Sequence, residues 1–134
     1  MKLAFDAKRI THNATGLGNY SRFIVNSLIN RYPENSYHLY SPDKGKEHLR
    51  ALIPNQENVI FHYLENKILG SLGKAWWRSC GIIGDLKKEK PTLFHGLSNE
   101  LPFGLSKAGI PSVVTIHDLI FIRYPQFYKT IDRN

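Results

Sequence analysis

Short apolar runs alternate along this chain with longer segments of helical periodicity. The runs that predict β-strands are residues 3–7, 37–40, 59–63, 92–95 and 112–117. In the last run, Val113-Val114-Thr115-Ile116, β-branched residues follow one another without polar alternation. Such a run is typical of a strand that is buried on both faces of a parallel sheet.

Two long segments carry helical periodicity. From Leu17 onward, apolar residues recur at three- and four-residue spacing until Pro33 ends the pattern. Residues 67–90 repeat this spacing, but four glycines interrupt it and favour two shorter helices. Residues 49–53 predict one helical turn. Strands that alternate with helices predict an α/β fold, with a parallel sheet flanked by helices.

Composition and charge narrow the class of protein. The 134 residues fit one domain, and 42% of them are hydrophobic. A net charge of +7 favours anionic partners such as phosphates or an anionic membrane surface. We expect no nucleic acid as partner, because no motif combines basic and aromatic residues for its recognition. The single Cys80 and the lack of a signal peptide favour a cytoplasmic location.

The segment Trp76-Trp77-Arg78 bears on membrane contact. Trp76 fits the apolar stripe of its helix and is expected in the core, whereas Trp77 and Arg78 are expected to face outward. Outward-facing aromatic and basic residues are consistent with a peripheral contact between this helix and the inner face of an anionic membrane.

A glycine loop precedes the first long helix. In Thr15-Gly16-Leu17-Gly18, the glycines allow close approach of a ligand, and the free amides at a helix start attract phosphate. The alternative is a tight turn between strand and helix. The dinucleotide fingerprint Gly-x-Gly-x-x-Gly is not complete, because position 21 is Ser21.

Two histidines lie at predicted strand ends. His117 could act as acid or base or bind a sugar hydroxyl, with Asp118 orienting its ring or binding a hydroxyl itself. The alternative for this pair is local capping and a turn. His95 ends the preceding predicted strand. It either lies at the same edge of the sheet as His117 or is an ordinary residue where a strand leads into a loop. The other histidines lack metal-ligand spacing, and we expect no metal; they are His12, His38, His48 and His62.

Three motifs together resemble the N-terminal domain of family 4 glycosyltransferases of the GT-B fold, in particular the mannosyltransferase-like enzymes of bacterial polysaccharide synthesis. The motifs are Phe5-Asp6-Ala7 with the loop at 15–20, Leu93-Phe94-His95-Gly96 with Leu101-Pro102, and Thr115-Ile116-His117-Asp118-Leu119 with Tyr124-Pro125. The resemblance implies a Rossmann-like domain in which the loops at one edge of the parallel sheet form half of an active-site cleft.

The resemblance also implies an activity and roles for residues. It implies a retaining transfer of a sugar from a nucleotide-sugar to a saccharide or lipid-linked acceptor, with no cofactor and no metal. The implied roles are catalysis for His117 and Asp118, donor-phosphate binding for Gly16 and Gly18, and acceptor binding for His95, Asn99, Tyr20 and Arg123.

The chain also departs from that family. A second, donor-binding domain is not represented, so residues 1–134 are expected to be a truncated acceptor-side domain that is inactive alone. The alternative from another class is a non-catalytic, flavodoxin-like or receiver-like binding module, since such folds share the alternation of strands and helices. A receiver would need an acidic cluster after the first strand, where Asp6 stands alone.

Overall fold

A computed structural model describes residues 1–64, 70–124 and 126 of the chain. The strands are β1 (Lys2–Asp6), β2 (Ser36–Ser41), β3 (Val59–Tyr63), β4 (Leu93–Gly96) and β5 (Ser112–Val114). The helices are α1 (Lys8–His12), α2 (Gly16–Arg31), α3 (Glu47–Arg50), α4 (Ser71–Trp76), α5 (Ile82–Glu89) and α6 (Ile120–Arg123), and a π-helical turn over Trp77–Gly81 joins α4 to α5. Ile68 and Leu69 of the second predicted helical segment, and Pro125 of the third motif quoted for the resemblance, lie outside the described residues.

The five strands form one parallel sheet in the order β3-β2-β1-β4-β5. This arrangement confirms the predicted α/β class and the Rossmann-like fold. The chain reverses its direction of travel across the sheet between β1 and β4. Open parallel sheets bind their ligands at such a reversal, outside the carboxyl ends of the strands.

Side chains from β1 alternate between two cores, one on each face of the sheet. Leu3 and Phe5 join a cluster with residues from α1 and α2, such as Ile10 and Val25. Ala4 faces the opposite cluster, which includes Trp77, Ile82, Leu86 and Phe94. Both faces of the central strands are therefore covered by helices, as the continuous apolar character of these strands requires.

Helix α1 is not predicted by the sequence pattern, which indicates a polar loop from residue 11. The helix follows β1 directly because Asp6 Oδ1 accepts a hydrogen bond of 3.0 Å from the backbone amide of Lys8. The Thr11 hydroxyl lies 3.3 Å from the Ala7 carbonyl oxygen, inside the short helix. The contact between Asp6 and Lys8, two residues apart, is a turn of the Asx type, and it satisfies the first free amide of the helix.

The predicted burial of the last strand on both faces is wrong. β5 ends at Val114 rather than at His117, and Val113 and Ile116 are 48% and 55% exposed. β5 is an edge strand that pairs with β4 within the described residues. The ladder of backbone hydrogen bonds between β4 and β5 stops because Asn99, whose backbone is left-handed at φ 59°, binds the segment after β5. Asn99 Oδ1 accepts a hydrogen bond of 2.9 Å from the His117 amide, and the Asn99 amide donates one to the Thr115 carbonyl oxygen.

The predicted orientation of the two tryptophans is also wrong. Trp77 is buried at 4% exposure, whereas Trp76 is 62% exposed. The π-helical turn is the reason, since it changes the residue spacing within an otherwise α-helical segment and rotates the apolar stripe. Trp77 Nε1 then donates to Asp85 Oδ2 at 3.0 Å. Within the described residues, no helix is long and apolar enough to cross a membrane.

Candidate functional site

Asn13 organises the loop that leads into α2. Its side-chain oxygen accepts hydrogen bonds from the amide and hydroxyl of Thr15, at 2.8 and 2.7 Å, and from the amide of Gly18 at 3.2 Å. A β-carbon at position 18 would lie 1.8 Å from the Asn13 carbonyl oxygen, so only glycine fits there. Position 16 is exposed, and a β-carbon there would meet no heavy atom within 4 Å. Of the two predicted phosphate-binding glycines, only Gly16 is therefore open to a ligand.

A three-membered polar bridge connects α2 with the carboxyl ends of β4 and β5. The Tyr20 hydroxyl lies 3.1 Å from Thr115 Oγ1, and His95 Nε2 lies 2.8 Å from the same oxygen. Burial lowers the pKa of the His95 imidazole, so this ring is neutral near pH 7 and can accept a hydrogen bond. The bridge brings the first turns of α2 to the edge where β5 ends.

His117 is held in place by contacts on three sides. Its Nε2 lies 2.9 Å from the Leu97 carbonyl oxygen, and its backbone amide donates to Asn99 Oδ1 at 2.9 Å. The Tyr20 ring meets the imidazole edge to face, with centroids 4.8 Å apart. Because a carbonyl oxygen only accepts, Nε2 carries the proton, and Nδ1 is the acceptor atom of the neutral ring.

Two predicted site residues stand apart from this group. Asp118 is exposed, and its Oδ1 accepts from the Ile120 amide at 3.1 Å, which starts α6. The guanidinium of Arg123 lies 5.8 Å from the centre of the Tyr124 ring. The structure brings together Tyr20, His95, Asn99 and His117, while Asp118 has the turn-starting contact that was the alternative interpretation.

A charged cleft opens beside this group, at the reversal between β1 and β4. The Arg78 guanidinium, from the π-helical turn, lies 2.8 Å from Asp6 Oδ2 and 2.6 Å from Glu100 Oε2. These three residues line a cavity of about 460 Å³ together with Asn99. The cleft thus contains two carboxylates that share one arginine, which leaves a formal charge of −1. Asn99, whose side chain holds the His117 amide, lies in the same cleft.

Several of these contacts were missed by sequence reasoning. Thr115 carried a signal, because it is the one polar residue in an apolar run and lies two positions before His117. Asn13 also carried a signal, since asparagine favours turns in which its side chain accepts a backbone amide two residues further on. Arg78 carried none, because the π-helical turn that directs it toward Asp6 leaves no mark in the apolar pattern.

In comparisons with known proteins, no family model, curated protein or solved structure matches the chain. The fold and the geometry of the site therefore define the class as far as an α/β domain with a Rossmann-like parallel sheet and a polar group at its carboxyl edge.

Proposed function

We propose that this chain forms the acceptor-side wall of the active site of a retaining, nucleotide-sugar-dependent glycosyltransferase of the GT-B type. One observation carries the proposal: Tyr20 of α2 contacts both Thr115 and His117 at the end of β5. Gly16 lies one helical turn before Tyr20, about 6 Å along the helix axis. The glycine loop and the imidazole therefore face the same edge of the sheet.

This geometry suits sugar transfer in two ways. The amides of Thr15 and Gly18 are bound to Asn13, so the amides of Gly16 and Leu17 are the ones that the start of α2 can offer to a diphosphate, together with the positive end of the helix. The Nδ1 atom of His117 and the carboxamide of Asn99 are suited to the hydroxyl groups of a sugar. Transfer with retention depends on stabilising charge on the leaving diphosphate, and fixed donors near that charge supply such stabilisation. In the proposal, a second domain supplies the remaining contacts to the donor.

The flavodoxin-like alternative is less well supported. Flavodoxin-like sheets have the strand order 2-1-3-4-5, whereas this sheet has the order 3-2-1-4-5 that is found in the dinucleotide-binding folds. A fold of this order hosts many functions, so the proposal depends on the polar group at the edge rather than on the fold.

The proposal is tested by NMR titration of the isotope-labelled 134-residue chain with UDP-glucose and GDP-mannose at millimolar concentration. We expect shifts of backbone amides at residues 16–20, 97–99 and 115–118, because these segments meet at the proposed cleft. His117→Gln should weaken the response, and the exposed His48→Gln should not. Shifts confined to other residues, or none with either donor, would refute the proposal. We also expect no sugar transfer by this chain alone, and measured turnover would contradict the assignment to one wall of the site.

A further inference from the structure

A second cluster of titratable side chains joins β2, β3 and the end of α5 and shares no residue with the proposed cleft. His38 of β2 and His62 of β3 approach to 2.8 Å between Nδ1 and Nε2, and His38 Nδ1 lies 3.9 Å from Oε2 of Glu89 at the end of α5. One potential ligand atom from each of these three residues lies within 4.8 Å of the other two. The residues are far apart in sequence, which is why spacing along the chain gave no sign of them.

We propose that His38, His62 and Glu89 form a binding site for a zinc-type divalent cation. Zinc binds imidazole nitrogen and carboxylate oxygen at about 2.0–2.2 Å, which places tetrahedral ligand atoms about 3.3 Å apart. Two of the three separations, 2.8 and 3.9 Å, lie on either side of that value and need changes of about half an ångström. All three ligand atoms lie within 4.8 Å of one another, so side-chain rotation must also draw His62 and Glu89 together to close the site.

The chemical state of the ligands suits a metal. Burial lowers the pKa of both imidazoles, which favours the neutral rings that bind metals. One of the two facing nitrogens donates the 2.8 Å hydrogen bond between the rings, and its proton moves to the other nitrogen of that ring when a metal binds. The hydrogen bond from Lys2 lowers the pKa of the Glu89 carboxyl, which is therefore ionised. His38 is only 4% exposed and belongs to a rigid central strand, which limits the entropy lost on binding.

The surroundings hold the second imidazole in position. The Tyr40 ring stacks on His62 with centroids 4.5 Å apart and planes inclined by 9°. Tyr40 is buried, and its hydroxyl has no hydrogen-bond partner within the described residues. His62 and Glu89 also line a cavity of about 570 Å³ that Trp77 and Asp85 share. Two of the three proposed ligands face this cavity, which leaves a fourth position for water or a small ligand, as in zinc sites that are not purely structural.

Lys2 is the group that competes with the cation. Its Nζ donates to Glu89 Oε2 at 2.9 Å and to the Glu89 carbonyl oxygen at 2.8 Å. Lys2 therefore occupies Oε2, the same oxygen that lies 3.9 Å from His38 Nδ1. For a metal to bind, Lys2 must leave Oε2, or the carboxylate must turn its second oxygen toward the two imidazoles. The positive charge of Lys2 still opposes a cation at this distance. Its removal should therefore tighten binding.

The experiment titrates the metal-free chain with Co²⁺, which gives visible absorption bands in a tetrahedral site, and then displaces it with Zn²⁺. We expect one equivalent to bind. His62→Gln and Glu89→Gln should each weaken binding at least about tenfold, whereas Lys2→Gln should strengthen it. Circular dichroism confirms that each variant is folded, and two variants at different ligands keep the test valid if one of them unfolds.

Two other histidines supply the controls. His48 is exposed, and His12 Nε2 lies 2.8 Å from Asp43 Oδ1, a pair of potential ligand atoms at which a metal could bind adventitiously. Binding that is unchanged in His48→Gln and His12→Gln supports the proposed site. The proposal is overturned if no Co²⁺ band develops, if His62→Gln binds as tightly as the wild type, or if binding is lost in His12→Gln instead.

Discussion

At the scale of single residues, Gly16 and Gly18 show how one loop motif can contain two different roles. Both glycines stand at the start of α2, and both resemble phosphate-binding positions in the sequence. Gly18 is buried, and its amide is already bound to the Asn13 side chain. Gly16 is exposed. The pattern predicts the loop and the helix start, but the position of Asn13 decides which glycine is required for packing.

We expect Gly18→Ala to destabilise the protein and Gly16→Ala to leave it nearly unchanged. The new β-carbon at position 18 would overlap the Asn13 carbonyl, which costs about 1–3 kcal/mol in a well-packed site. The change at position 16 enters open space and should alter stability by less than about 1 kcal/mol. Urea unfolding of both variants measures the difference. Equal free energies of unfolding would contradict this account of the loop.

At this scale the sequence indicates single polar residues but not the partners that the fold gives them. His117, Tyr20 and Asn99 were selected individually, and the structure brings them into one group. The acceptor for His117 Nε2 is the backbone carbonyl of Leu97, and no side-chain pattern can reveal a backbone acceptor. The pairing of His38 with His62 needed the register of β2 and β3, which a single sequence does not provide.

At the scale of elements, the π-helical turn over Trp77–Gly81 has the largest effect. The helical periodicity predicts the segment and its interruption, because glycines weaken it, but not the kind of interruption. The turn buries Trp77 and directs Arg78 toward the end of β1. A single irregular turn therefore decides both the packing of this face and the charge balance of the cleft.

We expect Arg78→Gln to destabilise the protein by about 1–3 kcal/mol, because Asp6 would lose its ion pair in a partly buried position. The exposed Lys87→Gln is the matched control and should change stability by less than about 0.5 kcal/mol. Thermal unfolding followed by circular dichroism measures both. A double-mutant cycle with Asp6→Asn should show that the two changes are not additive. An Arg78 variant as stable as the Lys87 variant would disprove the role of this ion pair.

At the scale of the whole molecule, the two edges of the sheet differ. The central strands β1, β2 and β4 were predicted with bounds correct to within one or two residues, because burial on both faces gives them a continuous apolar pattern. The last predicted strand has the same continuous apolar pattern. Even so, β5 is exposed, because it lies at the edge of the sheet. Apolar residues that are exposed in and after β5 are Val113, Ile116, Leu119, Ile120 and Ile122.

We expect this edge to cause self-association of the chain at high concentration, since an apolar edge strand can pair with another chain. Val113→Lys should suppress the association, because a charged side chain on an edge strand disfavours pairing. Leu52→Lys, at an exposed position in the turn before β3, is the control and should associate as the wild type does. Sedimentation velocity over a range of concentrations distinguishes the variants. Equal behaviour of the two lysine variants would contradict a role of β5.

The central place of β1 determines the order in which the sheet can be assembled. Its partner β2 follows soon after it in the chain, whereas the bond from the Lys2 amide to Thr92 spans 90 residues. Closing so long a loop is slow, because the entropy of the intervening chain is lost before the contact is made. On a ribosome, β1 to β3 can therefore pair early, while the other side of β1 remains open until β4 has been synthesised. The carboxyl edge with its polar group is completed last, when β5 arrives beside β4.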